Sequence, residues 1–148
     1  MASVATYLNF DGTTEQAFEF YKSVFGTEYI GAGIMRMGDV PAGEGEPETP
    51  ESMKQLVMHV SLPILGGHVL MGTDFTEEMG MGKLIQGNAM HVSLLPDSRE
   101  EADRLFTALS DGGKVLIPIA DQFWGDYYGS FVDKFGTSWM VDYNPNAS

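Results

Sequence analysis

Residues 5–26 read Ala5-Thr6-Tyr7-Leu8-Asn9-Phe10-Asp11-Gly12-Thr13-Thr14-Glu15-Gln16-Ala17-Phe18-Glu19-Phe20-Tyr21-Lys22-Ser23-Val24-Phe25-Gly26, and their hydrophobic period changes once, at Gly12. Up to Phe10 the residues alternate, as a strand with one apolar face does. After Gly12, Thr13-Thr14-Glu15-Gln16 reads as a capping box, in which a threonine hydroxyl and a glutamine side chain satisfy free amides at a helix start. Ala17, Phe18, Tyr21, Val24 and Phe25 then recur at helical spacing, and Gly26 supplies the stop. Three more strands are expected, at residues 28–37, 55–62 and 68–74, with Gly66-Gly67 as the turn between the last two.

The plan then recurs. Asn88 to Leu95 alternates, Ser98-Arg99-Glu100-Glu101 offers a second capping box, and Ala102, Leu105, Phe106 and Leu109 mark a helical face that Gly112-Gly113 ends. Strands are expected at 114–120, 126–133 and 138–144, with Phe135-Gly136-Thr137 as the final turn. The same order of elements twice over points to an α+β chain of two βαβββ modules, residues 5–74 and 88–144, joined by a linker at 75–87 within one domain spanning 1–148. Each mixed sheet is expected to curl into a cup with its helix outside. Residues 38–54, rich in Gly, Pro and acids, read as a mobile, solvated loop.

Composition bounds the function. With 148 residues, 43% of them hydrophobic, the chain can bury a core and is not disordered throughout. The absence of cysteine excludes disulfide scaffolds, thiolate metal sites and cysteine nucleophiles. Eight basic against 21 acidic residues give a net charge of −13, which opposes both nucleic acid and anionic membranes, so neither is an expected partner. No apolar run is long enough to cross a bilayer, and the N-terminal residues lack a basic-then-apolar leader, so the cytoplasm is the expected location. Gly31-Ala32-Gly33 lacks the third glycine and the following helix of a dinucleotide-binding loop.

Strand parity selects the candidate site. Leu8 and Phe10 should lie under the first helix, leaving Tyr7 and Asn9 on the other face. Met58, Val60 and Leu62 should oppose Val57, His59 and Ser61, and Met90, Val92 and Leu94 should oppose His91 and Ser93. The faces turned away from the helices then carry Tyr7, Asn9, His59, Ser61, His91 and Ser93, a polar and aromatic lining suited to a small ligand. The imidazoles of His59 and His91 could ligate a metal or act as bases, but a buried histidine satisfied by a neighbouring hydroxyl or carbonyl is the commoner case. Spacing puts His59 and Ser61 on one face but does not by itself bring them into contact. His68, after the Gly-Gly turn, reads as a surface residue. Phe123 and Trp124 either stack on a ligand or plug the end of a sheet.

Several motifs together resemble one family. Leu8-Asn9-Phe10-Asp11-Gly12, Ala17-Phe18-Glu19-Phe20-Tyr21, Phe25-Gly26, Met58-His59-Val60 and Leu70-Met71-Gly72-Thr73-Asp74 resemble PhnB-like proteins of the glyoxalase, bleomycin-resistance and extradiol-dioxygenase superfamily, also called vicinal oxygen chelate. So do Phe123-Trp124-Gly125-Asp126-Tyr127-Tyr128-Gly129 and Asp133-Lys134-Phe135-Gly136-Thr137-Ser138-Trp139. The resemblance covers nearly the whole chain and implies paired βαβββ modules, cup-shaped sheets and a homodimer. Metal-dependent members take ligands from the first and last strands of each module, and those positions carry over to Ala5, Met71, His91 and Met140. Only His91 among them suits a hard or borderline divalent ion, so no metal and no cofactor are expected. A register shifted by one residue brings in Thr6, Asp74 or Asp142 without completing a set. What the resemblance implies is a small-molecule-binding protein lacking the usual metal site, its ligand lined by Tyr7, Asn9, His59, His91, Trp124 and Met140. The alternative is a metal-dependent lyase, isomerase or dioxygenase built on His91. Some PhnB-like sequences carry the label of a ubiquinone-pathway methyltransferase, for which this chain shows no recognisable methyl-donor site.

Overall fold

Alternation at the N-terminus becomes strand β1 (Thr6–Phe10), with Phe10 buried and both Tyr7 and Asn9 exposed. The computed structural model describes residues 1–146. Helix α1 (Thr14–Phe25) follows, burying Ala17, Phe18, Tyr21 and Val24, and ends at Gly26, whose φ of 65° lets its amide close on the Lys22 carbonyl. Strands β2 (Met35–Arg36), β3 (Val57–Pro63) and β4 (Val69–Asp74) complete a four-stranded sheet in the order β1-β4-β3-β2. β1 lies parallel to β4, and the other pairs are antiparallel.

The second half repeats this with β5 (Val92–Leu94), α2 (Arg99–Ser110), β6 (Lys114–Asp121), β7 (Tyr127–Val132) and β8 (Ser138–Tyr143), ordered β5-β8-β7-β6. The chain divides into two compact units, Met1–Leu84 and a second beginning at Ile85. In each, the helix covers one face of its own sheet. The Phe18 ring sits where a side chain at Gly72 would be, and Phe106 meets Phe131 edge to face at 5.0 Å. No helix among the described residues is long and apolar enough to cross a membrane.

Four expectations need correction. The strand expected over 28–37 shrinks to Met35–Arg36, because Gly31 and Gly33 adopt φ of 68° and 82°, which breaks extended chain. That segment still runs beside β3, with the Ile30 amide donating to the Ser61 carbonyl and the Thr27 hydroxyl to that of Pro63. The strand expected over 88–95 contracts to Val92–Leu94, so His91 lies just outside it. In the parallel register Val92 faces Trp139, and the chain before Ser138 is already turning, so earlier residues have no extended partner. Val57 is buried rather than open-facing, and His68 is half-buried, its Nε2 2.9 Å from the Thr6 hydroxyl.

The first capping box also fails: Thr13 makes no side-chain cap bond. Asp74, at the far end of β4, takes its place. Its Oδ1 accepts from the Thr14 amide at 3.1 Å and the Thr14 hydroxyl at 2.7 Å, while Oδ2 accepts from the Val57 amide at 2.7 Å. A carboxylate at a helix N-terminus is a stronger acceptor than a hydroxyl and complements the helix dipole. In the second unit Ser98 does cap, accepting from the Glu101 amide at 3.1 Å.

Candidate functional site

The face of the first sheet turned away from α1 brings together side chains from four strands. Register places Met71 of β4 between Tyr7 of β1 and Ser61 of β3, and Thr73 beside Asn9. Met35 of β2 is opposite His59. Contact follows from this register. The Tyr7 hydroxyl is 3.2 Å from His59 Nδ1, and His59 Nε2 is 2.8 Å from the Ser61 hydroxyl. The Tyr7 and His59 rings are tilted at 39° with centroids 5.8 Å apart. The Thr73 hydroxyl donates to the Val57 carbonyl at 3.1 Å. Burial raises the pKa of Tyr7, so the phenol keeps its proton at neutral pH. With Tyr7 50% exposed and His59 and Ser61 half-buried, a ligand could reach this cluster from solvent.

In the second unit the corresponding face is different. Met140 of β8 lies between Ser93 of β5 and Ser130 of β7. Asp142 lies opposite Tyr128, and its Oδ1 is buried with no hydrogen-bond partner. Burial, then the hydrogen bond and charge of Asp126, push the Asp142 pKa up to about 6. Trp124 sits in the turn between β6 and β7, 6.0 Å from the Tyr128 ring and edge to face with Phe123 at 5.0 Å. Phe123 is 97% exposed, so it does not plug the sheet. His91 is half-buried at the entry to β5.

Of the six candidate residues, Tyr7, Asn9 and His59 therefore share one sheet face, while His91, Trp124 and Met140 belong to the second unit. Parity placed the first three on that face. It could not find Thr73 beside Asn9 or the raised pKa of Asp142, since both depend on pairing with strands remote in sequence.

The motif at 133–139 has a structural role. Asp133, 3% exposed, accepts from the amides of Phe135 and Thr137 and from Trp139 Nε1 at 2.8–3.0 Å, which fixes the turn and the buried indole together. Among the described residues no three His, Asp or Glu side chains gather as metal ligands do.

A family model described as 3-demethylubiquinone-9 3-methyltransferase matches residues 2–142. Protein PA1353 from Pseudomonas aeruginosa is similar, with a TM-score of 0.81 and 31% identity over 97% of this chain and 98% of that one. The PhnB protein from Bacillus cereus is similar too, at a TM-score of 0.72 and 26% identity over 96% of this chain and 99% of the other. A glyoxylase/bleomycin resistance protein/dioxygenase domain from Frankia sp. EAN1pec shares the fold, with a TM-score of 0.63 at 12% identity over 100% of this chain and 96% of that one.

Proposed function

We propose a function from one premise: this chain belongs to the 3-demethylubiquinone-9 3-methyltransferase family, PhnB-like proteins of the glyoxalase, bleomycin-resistance and dioxygenase superfamily. It binds a small molecule, and does so without the divalent metal site common in that superfamily. The observation that carries this reading is the open face of the first sheet, where Tyr7, His59 and Ser61 form a hydrogen-bonded, solvent-reachable cluster around Met71. An aromatic pair with convergent polar groups suits a small organic ligand.

The positions that the family resemblance assigns to metal ligands hold Ala5, Met71, His91 and Met140. Alanine has no donor, and a thioether is a poor partner for a hard or borderline ion, so this set does not fit such a metal. Methyl transfer is not part of the proposal either. Gly31-Ala32-Gly33 leads into irregular chain and a two-residue strand, not into the helix whose N-terminus a methyl-donor loop of Rossmann type needs.

Two measurements test this. Metal analysis of protein purified without added metal should find substoichiometric Zn, Ni, Mn and Fe. A thermal-shift screen should find compounds that raise the melting temperature by mass action, with the shift lost in Tyr7→Ala and His59→Ala. Stoichiometric metal that disappears in His91→Ala would instead establish the metal-dependent enzyme.

A further inference from the structure

We infer that the open face of the second sheet, where Asp126 and Asp142 meet beside Tyr128 and Trp124, binds an organic ammonium ion. Alternation places the parts. Gly129 and Phe131 face α2, so Asp126 and Tyr128 take the other side of the chain, and register sets Tyr128 against Asp142 of β8. The turn between β6 and β7 adds the indole. There the Gln122 amide donates to the Asp126 carbonyl at 2.8 Å and the Gly125 amide to the Gln122 carbonyl at 3.0 Å. Gly125 takes a φ of 103°, which a side chain would oppose. The turn so closed holds the Trp124 ring 6.0 Å from that of Tyr128, with the tryptophan 52% exposed.

What the two carboxyls lack is a cation. They are hydrogen-bond partners of each other, and Oδ1 of Asp142 is enclosed without a donor. Among the described residues no Lys, Arg or His forms an ion pair with either. Arg99 of α2 is committed on the opposite face, stacked 3.9 Å from the centre of the Tyr127 ring and held by both oxygens of Asp121. Two acids kept together repel when both are ionised, and a positive ligand relieves that repulsion. The net charge of −13 adds a long-range pull on cations.

The flanking rings decide which cation. Among the described residues no third Asp, Glu or His joins the pair, so the donor set is too small for a metal ion. An indole and a phenol instead offer π-faces, which attract an ammonium group and cover its alkyl substituents. Phe123 stands edge to face against Trp124 at 5.0 Å and is 97% exposed, which extends the apolar surface outward for the rest of the ligand.

The first unit shows that the βαβββ frame does not require this group. The turns Ile64–His68 and Asp133–Thr137 carry the same pair of backbone bonds, which aligns β4 with β8. Strand pairing then sets Thr73 at the position of Asp142 and Val57 at that of Asp126. Neither carries a charge, and the Thr73 hydroxyl is satisfied by the Val57 carbonyl.

The test is calorimetric titration of the whole chain with choline at constant ionic strength, beside its uncharged isostere 3,3-dimethylbutan-1-ol. One choline per chain is expected, with tryptophan emission changing in step, and the isostere should bind at least about tenfold more weakly. Trp124→Ala, Asp126→Asn and Asp142→Asn should each weaken choline about tenfold with circular dichroism unchanged, and Trp124→Phe should fall between. Affinity should drop below about pH 6, where Asp142 takes up its proton, and Asp142→Asn should remove that dependence. No saturable binding, an isostere equal to choline, or affinity indifferent to Trp124 and both aspartates overturns the inference. So does choline binding that disappears in Tyr7→Ala, which would place the cation on the first sheet. The ligand reading of that first sheet is read by the thermal-shift screen, so either can fail without the other.

Discussion

The two units follow one chain plan but anchor it at different points. In the first, the buried aspartate is Asp74, at the end of the last strand, and it reaches across to the helix start and to β3. In the second it is Asp133, in the turn before the last strand, and it holds that turn and the Trp139 indole. The helix starts differ to match: Ser98 caps its own helix, whereas Thr13 leaves the task to Asp74. The βαβββ frame is thus set by apolar periodicity, while its polar fastenings can move. The open faces diverge further, with a tyrosine–histidine–serine chain on one and the Asp126–Asp142 carboxyl pair on the other.

The largest effects should come from those aspartates. Asp74→Ala and Asp133→Ala each leave three donors without their carboxylate, at about 1–3 kcal/mol per buried donor, so each should cost about 3–5 kcal/mol in urea denaturation. A small loss at either position would show that the two fastenings are not equivalent.

Next come the two glycines beneath the helices. A methyl at Gly72 would overlap the Phe18 ring, and one at Gly129 would meet both the Phe106 ring and the Ile119 backbone. Each alanine variant should lose about 1–3 kcal/mol, with Gly129→Ala the worse because backbone yields less than a ring. The caps sharpen the comparison at a smaller scale. Ser98→Ala should cost about 1 kcal/mol, whereas Thr13→Ala should be close to neutral in the same assay.

Asp142 gives the smallest effect and a pH dependence. Its folded pKa, about 6, lies above the ordinary 3.8, so the folded state holds that proton more tightly. The resulting stabilisation is complete below about pH 3.8 and is lost as pH rises through about 6. Asp142→Asn should flatten the stability profile across that window and, with solvent screening allowed for, gain less than about 1 kcal/mol at pH 8. Chemical denaturation at pH 4 and pH 8 checks both the sign and the size.

The order of elements was legible in the sequence because it depends on local signals: glycines at turns and apolar residues at period two or near four. Strand ends were not, since β5 stops where β8 begins to turn and β2 starts only after Gly33. The same division holds at the candidate site. Parity placed Tyr7, Asn9 and His59 on one face, but the contact between His59 and Ser61 depends on side-chain rotation. Asp74 as a cap was invisible because it lies 60 residues from the helix it serves.

The placement of the two tryptophans gives the protein its own optical labels. Both belong to the second unit, Trp139 fully enclosed and Trp124 about half open to solvent at a hairpin tip. Emission from the first should redden only when that unit loses its interior, and quenching by iodide or acrylamide should act on the second. Indole fluorescence therefore follows one half of the chain, and any melting step seen by calorimetry but missed by fluorescence belongs to the half that carries Tyr7 and His59.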